Sequence, residues 1–244
     1  SDTEVVLNGI DIYGKNFINK LRGQFAIVFI DNKNKKIVMA RDRVGQKPLY
    51  YYLTNKHLVF SSNLISILET LETYKISETS VDEYLNYGVV SSPNTIFENI
   101  KKVCPSEIIE IYFDNNYFEK FNSKYWSTDE FVDNKKFHEE EFFDLFSDAV
   151  NIRSNADVPI ANFLSGGLDS SSIVKNYSLN KKEINTFSVN LDSEKYDESK
   201  WSTLVAEKYK TNHNFVNIST KISLNDIYSS INSFDEPYSD PSIV

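Results

Sequence analysis

Residues 159–177 read Pro159-Ile160-Ala161-Asn162-Phe163-Leu164-Ser165-Gly166-Gly167-Leu168-Asp169-Ser170-Ser171-Ser172-Ile173-Val174-Lys175-Asn176-Tyr177. The apolar run to Leu164 predicts a strand and Asp169–Tyr177 a helix, with a Ser/Gly turn between them. A turn of this kind leaves the first N–H groups of a helix without intrahelical partners, at the positive end of its dipole. That combination suits a phosphate group. Gly166 and Gly167 let the backbone approach an anion, and the hydroxyls of Ser165, Ser170 and Ser171 add donors. Asp169 at the helix start is placed to hold a Mg²⁺ ion that bridges phosphate oxygens. The same letters also fit a plain turn capped by Asp169 or Ser170.

Outward from this turn the second half of the chain alternates. A helix is predicted over 139–153, where Phe142, Phe143, Phe146, Ala149 and Val150 recur at helical spacing. Strands follow at 159–164, 185–190 and 213–218, and helices at 169–177, 199–209 and 223–233. This order argues for a parallel sheet with right-handed crossovers. Three strands are few for an open parallel sheet, so the chain reads as part of a longer one.

The first half has another character. A short helical stretch over 17–21 stops at Arg22-Gly23. Strands are predicted at 23–30, 36–40, 49–53 and 57–60, joined by short turns, and read as one antiparallel sheet. Helical stretches follow near 64–73 and 81–87. Residues 112–136 read as a final strand and a linker.

Composition closes several alternatives. The 244 residues are 41% hydrophobic, 25% charged and 14% aromatic, a mixture suited to a globular chain. Folding a chain of this length buries roughly 70–75% of its surface, enough without a metal or disulfide staple. The net charge of −9 argues against a broad nucleic-acid surface. No apolar run approaches the ~20 residues of a membrane helix. The single Cys104 and three His leave no disulfide pair and no zinc-finger spacing. A cytoplasmic location is the default expectation. Gly9-Ile10-Asp11-Ile12-Tyr13-Gly14-Lys15-Asn16 has the spacing of a Walker A loop but lacks its Ser/Thr and a leading strand, and is read as coincidence.

With these residues assembled, the chain resembles a known family. Leu164–Ser171 is similar to the pyrophosphate-binding loop of the ATP-pyrophosphatase (PP-loop) enzymes, and its flanks resemble the glutamine-hydrolysing asparagine synthetases. In the first half, Arg41-Asp42-Arg43-Val44-Gly45-Gln46-Lys47-Pro48-Leu49-Tyr50-Tyr51 is similar to that family's A-R-D-R-x-G-x-K-P-L-Y-Y stretch. Leu21–Ala26 resembles its L-x-G-x-F-A strand, Ser1-Asp2-Thr3-Glu4 its G-S-D-x-E motif, and Asp235-Glu236-Pro237 its D-E-P motif. The resemblance implies an α+β part followed by an α/β part. The C-terminal portion of a class II glutaminase, an antiparallel αββα sandwich, would span residues 1–126. A linker follows over 127–136, and the start of a Rossmann-like ATP-pyrophosphatase domain over 137–244.

It also implies a two-site ligase. One site releases ammonia from glutamine; the other activates aspartate with Mg-ATP as β-aspartyl-AMP, and ammonia gives asparagine, AMP and pyrophosphate. Asp2 would bind the α-ammonium of glutamine. Ser165, Gly166, Gly167, Asp169 and Ser170 would hold ATP's pyrophosphate, with Asp169 on Mg²⁺. Phe163, Leu164 and Val189 would contact the adenosine, largely by backbone. Arg41 and Asp42 would be structural, and Asp235 and Glu236 would lie near the aspartate. The family's nucleophilic Cys falls before Ser1, and its second nucleotide loop and catalytic Lys after Val244. The 244 residues alone are therefore expected to be inactive. The partners implied are small molecules, with a homodimer suggested by the resemblance. Two other readings remain open: a relative that amidates another carboxylate, such as a cell-surface sugar acid, or closes a β-lactam; and a non-catalytic scaffold.

Overall fold

A computed structural model describes residues 1–114, 117–132, 136–180, 183–192, 197–219 and 221–240. The chain divides into two compact units: Ser1–Asp133 with Asn225–Val244, and Asn134–Leu224. Residues 133–135 of the expected linker lie outside the described residues.

The first unit opens with helix α1 (Asp2–Tyr13), which Ser1 and Glu4 close with a capping box. A 3-10 turn over Gly14–Lys20 folds back on it. Gly9 makes this possible, because a Cβ there would overlap the Phe17 ring. Strands β1 (Ala26–Asp31), β2 (Lys36–Arg41), β3 (Tyr50–Leu53) and β4 (Leu58–Ser61) follow, then helices α2 (Leu64–Leu68) and α3 (Glu78–Tyr87). Strands β5 (Ile100–Lys102), β6 (Glu107–Phe113) and β7 (Phe118–Lys124) complete this part.

The first four strands do not share one sheet, contrary to the sequence reading. They divide between a sheet ordered β1-β2-β6-β7 and another ordered β4-β3-β5, all described pairs being antiparallel. The chain crosses from one sheet to the other through the loop after Arg41, and two side chains hold that loop. Asp42 is fully buried and accepts backbone N–H bonds from Phe25, Val44, Gln46 and Lys47 at 2.9–3.3 Å. Arg41 donates to the carbonyls of Lys47, Val103 and Gly45 at 2.7–2.9 Å. Both residues therefore organise backbone.

Side-chain alternation then assembles the core. Ile37 and Met39 of β2 join Ile109 and Ile111 of β6 on the face that meets Leu49 and Tyr51. Val38, Ala40 and Ile108 point the other way, onto Ile10 and Ile18. Tyr50, one residue before Tyr51, turns to the opposite face with Leu64, Ile67 and Ile100. Strands buried on both faces need continuous apolar runs, which Ile37–Ala40 and Ile108–Ile109 supply. The spurious Walker-type stretch ends in a helix terminus, and its Lys15 pairs with Glu110 beside Lys36.

The second unit contains α4 (Glu139–Arg153), β8 (Ala161–Phe163), α5 (Leu168–Asn180), β9 (Asn185–Leu191), α6 (Ser199–Tyr209) and β10 (Asn212–Ile218). Its sheet is parallel throughout, in the order β10-β9-β8, as the alternation predicts. Leu164, Val174 and Ala206 form one core cluster, and Val150, Tyr177 and Ile184 another. Helix α7 (Leu224–Asn232) leads into a segment that clusters with the first unit. There Asp235 accepts from Leu64 N–H and Asn63 Nδ2, both at 2.8 Å.

Candidate functional site

The strand–turn–helix of the sequence reading is present. β8 runs parallel to β9 with Phe163 opposite Phe187, and Leu164 N then donates to the Phe187 carbonyl at 2.8 Å. The chain leaves the sheet at this point, and α5 begins four residues later. Among the sequence-selected residues, Ser165, Gly166, Gly167, Asp169 and Ser170 come together in this turn and the first turn of α5.

The turn is stabilised from within. Gly167 N donates to Ser165 Oγ at 3.2 Å, Ser165 Oγ lies 3.0 Å from Ser170 Oγ, and Ser170 Oγ donates to the Gly167 carbonyl at 3.2 Å. Because Ser170 gives its proton to Gly167, Ser165 is the donor between the two hydroxyls. Gly166 is required for two reasons. Its φ is +85°, and a Cβ would meet the Trp201 carbonyl carbon at 2.5 Å and Ser202 N at 2.6 Å. Its lack of a side chain therefore admits α6, while at Gly167 a Cβ would approach only the Ser165 hydroxyl, at 3.3 Å.

The donor set fits a phosphate-bearing ligand. Ser171 Oγ is buried and finds no hydrogen-bond partner among the described residues, an unusual position for a hydroxyl at the head of a helix. Asp169 is exposed in the first turn, free to meet a cation from the solvent side. Among the described residues no group of three His, Cys, Asp or Glu gathers as a metal site, so a cation here would take its other ligands from phosphate and water.

The three residues selected for adenosine divide by strand alternation. Phe163 is 89% exposed, whereas Leu164 is fully buried with Val174 and Ala206. Both backbone polar groups of Leu164 are engaged, the N–H by Phe187 and the carbonyl by the Ser188 hydroxyl. Val189 is half-exposed on β9, paired with Val216 of β10.

In the first unit, Asp2 accepts from Thr3 N at 2.8 Å and lines a cavity of about 570 Å³ with Thr3, Gln24, Phe25, Lys47 and Pro48. Gln24 and Lys47 were not singled out from the sequence, although Lys47 lies within the R-D-R-x-G-x-K-P stretch. Asp235 and Glu236 lie in the segment that packs with the first unit: Glu236 is paired with Lys102 at 2.7 Å and accepts from Tyr50 Oη at 3.5 Å. Burial, followed by the charges of Glu236 and Asp235, pushes the Tyr50 hydroxyl well above its ordinary pKa. The hydroxyl pair Thr186 and Ser188, together with His213, is not among the residues selected from the sequence. Their signal was alternation, a Thr and a Ser two residues apart on one face of a strand.

Residues 1–126 match the glutamine amidotransferase domain family and residues 141–244 the asparagine synthase family. The chain is 34% identical to a putative glutamine-hydrolyzing asparagine synthetase 2 of Methanocaldococcus jannaschii, over 98% of this chain and 47% of that protein. It is likewise 34% identical to glutamine-hydrolyzing asparagine synthetase 1 of Bacillus subtilis, over 100% of this chain and 38% of that protein. A third relative, amidase chry2 of Gibberella zeae, is 34% identical over 71% of this chain and 26% of its own length. The chain thus spans less than half the length of these relatives. With both domain families matched in sequence order and this level of identity along nearly all its residues, the chain is a member of the glutamine-hydrolysing asparagine synthetase family.

Proposed function

We propose that the full-length protein amidates aspartate to asparagine with ammonia taken from glutamine, at the expense of ATP. Residues 1–126 act as the end of a class II glutaminase, and residues 137–244, after a linker at 127–136, as the start of the PP-loop ATP-pyrophosphatase domain. The observation that carries this reading is the turn Ser165–Ser170, with its ordered hydroxyls, helix terminus and partnerless Ser171 Oγ, in a chain whose relatives are named for this reaction.

A carboxylate is a poor electrophile, and transfer to an adenylyl group gives it a good leaving group. In this reading ATP supplies that group, and Mg²⁺ offsets charge on the departing pyrophosphate. The chain's own task is to hold the pyrophosphate still. Ser165, Ser170 and Gly167 exchange their bonds within the turn for it, joining Gly166 and the α5 N-terminus as donors, and Asp169 holds the cation. Phe163 and Val189 border the nucleoside from the strand ends, where ligands collect in open parallel sheets, with Leu164 behind them anchoring the strand end in the core. Asp2 receives the α-ammonium of glutamine at the cavity it shares with Gln24 and Lys47. A cytoplasmic homodimer completes the reading, on family resemblance.

The experiment is a coupled assay on the full-length protein with Mg-ATP and ammonium, with aspartate added or omitted. Aspartate-dependent pyrophosphate release matched by asparagine formation is the expected result. Turnover with another carboxylate and none with aspartate would overturn the choice of acceptor, and pyrophosphate release with no acceptor at all would overturn the ligase reading.

A further inference from the structure

The second unit contains a chain of side-chain hydrogen bonds that ends at the nucleotide turn. Thr211 Oγ1 lies 2.7 Å from Thr186 Oγ1, which lies 2.8 Å from His213 Nδ1. His213 Nε2 lies 3.4 Å from Ser188 Oγ, and Ser188 donates to the carbonyl of Leu164. Thr186 and Leu164 are fully buried and Ser188 nearly so. The strand register makes the chain possible: His213 on β10 is directly opposite Thr186 on β9, and Ser188 sits two residues further along β9, past the end of β8.

The donors can be assigned in one consistent order. Ser188 spends its proton on Leu164, so toward His213 its oxygen only accepts, and Nε2 carries the ring proton. Nδ1 is then the acceptor for Thr186, whose oxygen in turn accepts from Thr211. Phe215 meets the imidazole edge-on, with centroids 4.5 Å apart and planes at 79°, which limits ring rotation. Burial pushes the His213 pKa below its ordinary value and favours the neutral ring this order needs.

The end of the chain matters most. The Leu164–Ser165 peptide is trans and planar, so its carbonyl and its N–H point in opposite directions. Drawing the Leu164 carbonyl toward Ser188 and the sheet therefore turns the Ser165 N–H out toward the turn. We propose that His213 is a positioning residue for the nucleotide turn: through Ser188 it fixes the Leu164–Ser165 peptide, and so aims the Ser165 N–H at the pyrophosphate group of ATP. This rests on the reading of the turn as a nucleotide site.

The test uses the full-length protein, with KM for ATP and kcat measured by pyrophosphate release, and S165A as a marker of the turn itself. H213A and S188A are expected to raise KM for ATP about tenfold with a smaller change in kcat, and the double variant to match S188A alone. H213Q places an amide donor where Nε2 stood and is expected to recover most of the loss, whereas H213N reaches only the Nδ1 position and does not. Recovery in H213Q also separates positioning from folding, which thermal melting of each variant checks independently. Additive effects of H213A and S188A, or an unchanged KM in H213A while S165A raises it, would overturn the relay. An unchanged KM for ATP in both S165A, which removes the hydroxyl, and G167A, which crowds the backbone, would overturn the nucleotide reading, and the relay with it.

Discussion

Lys102 Nζ lies 2.7 Å from Glu236 Oε2, with both side chains largely buried, although the residues are separated by 134 positions. Lys102 also donates to the Val90 carbonyl at 2.7 Å, and Glu236 accepts from Tyr50. The pair fastens the Asp235-Glu236 segment to the β4-β3-β5 sheet, beside the bonds that Asp235 accepts from Asn63 and Leu64. K102M leaves Glu236 without its cation. Breaking a fully buried pair costs roughly 3–5 kcal/mol, but this segment can release Glu236 to water, so a loss of about 2 kcal/mol is expected. Urea unfolding of K102M and of K102M/E236L measures it, with the double variant recovering most of the loss. A K102M curve that overlays the wild type would show that the pair contributes nothing.

Acid should weaken the first unit, and Asp42 and Glu110 set the sign. Burial alone would raise the pKa of each carboxyl, but it is outweighed: four backbone N–H donors lower that of Asp42, and Lys15 and Lys36 lower that of Glu110. A folded-state pKa below the unfolded value contributes stability that is complete above the unfolded value, near 3.8 for Asp42 and 4.5 for Glu110. That stability is lost as pH falls through the lower folded values. Melting temperatures from pH 7 to pH 2 should hold above about pH 5 and drop steeply below it. D42N presents an amide to four N–H donors and is expected to cost about 3 kcal/mol at pH 7, with a shallower acid limb. A variant as acid-sensitive as the wild type would assign the effect elsewhere.

The adjacent glycines Gly166 and Gly167 should respond differently to the same added methyl. G166A combines a φ of +85° with a Cβ 2.5 Å from the Trp201 backbone, so α6 must move. A loss of about 3 kcal/mol is expected in urea unfolding, from strain and overpacking together. G167A meets only a hydroxyl and should change stability by less than about 1 kcal/mol. On the proposed reading it narrows the approach to phosphate and raises KM for ATP. Equal destabilisation by the two substitutions would contradict the distinction drawn from the backbone.

The second unit was legible because its signals are local. Helix 139–153 and helix 199–209 coincide with the observed elements, and the alternation gave the parallel sheet. The first unit was legible only in part. Its hairpin signals identified strands but not sheet membership, which depends on pairings such as Met39 with Ile109, some 70 positions apart. Most of Glu107–Phe113 is absent from the predicted strands, and 112–136 is predicted to hold only one, where β6 ends and β7 follows. Helix α1 was missed because Val5-Val6 and Gly9 are weak helix formers; the capping box and packing against the 3-10 turn outweigh them. At the site, residue types were readable but partners were not. No local pattern showed that Gly166 faces α6, or that Ser188 reaches the Leu164 carbonyl.

On the proposed reading, the two half-reactions should be separable by single carboxylates, because Asp2 and Asp169 belong to different units of the chain. D169A removes the exposed acid that is proposed to hold Mg²⁺ at the head of α5. In the full-length protein it should reduce aspartate-dependent pyrophosphate release by at least about a thousandfold, the scale of losing electrostatic stabilisation of a departing phosphate group, while glutamine hydrolysis stays within a few-fold. D2A should do the reverse. Loss of an ionic contact to the glutamine ammonium raises KM for glutamine by about one to two orders of magnitude, and synthesis from free ammonium continues at the wild-type rate. The two nitrogen donors serve as each other's control. If D2A lowered both activities equally, the damage would lie in the capping turn of α1 rather than in substrate binding. Synthetase activity within a few-fold of wild type in D169A would remove the metal from this carboxylate and leave the turn to bind phosphate through N–H and hydroxyl donors alone.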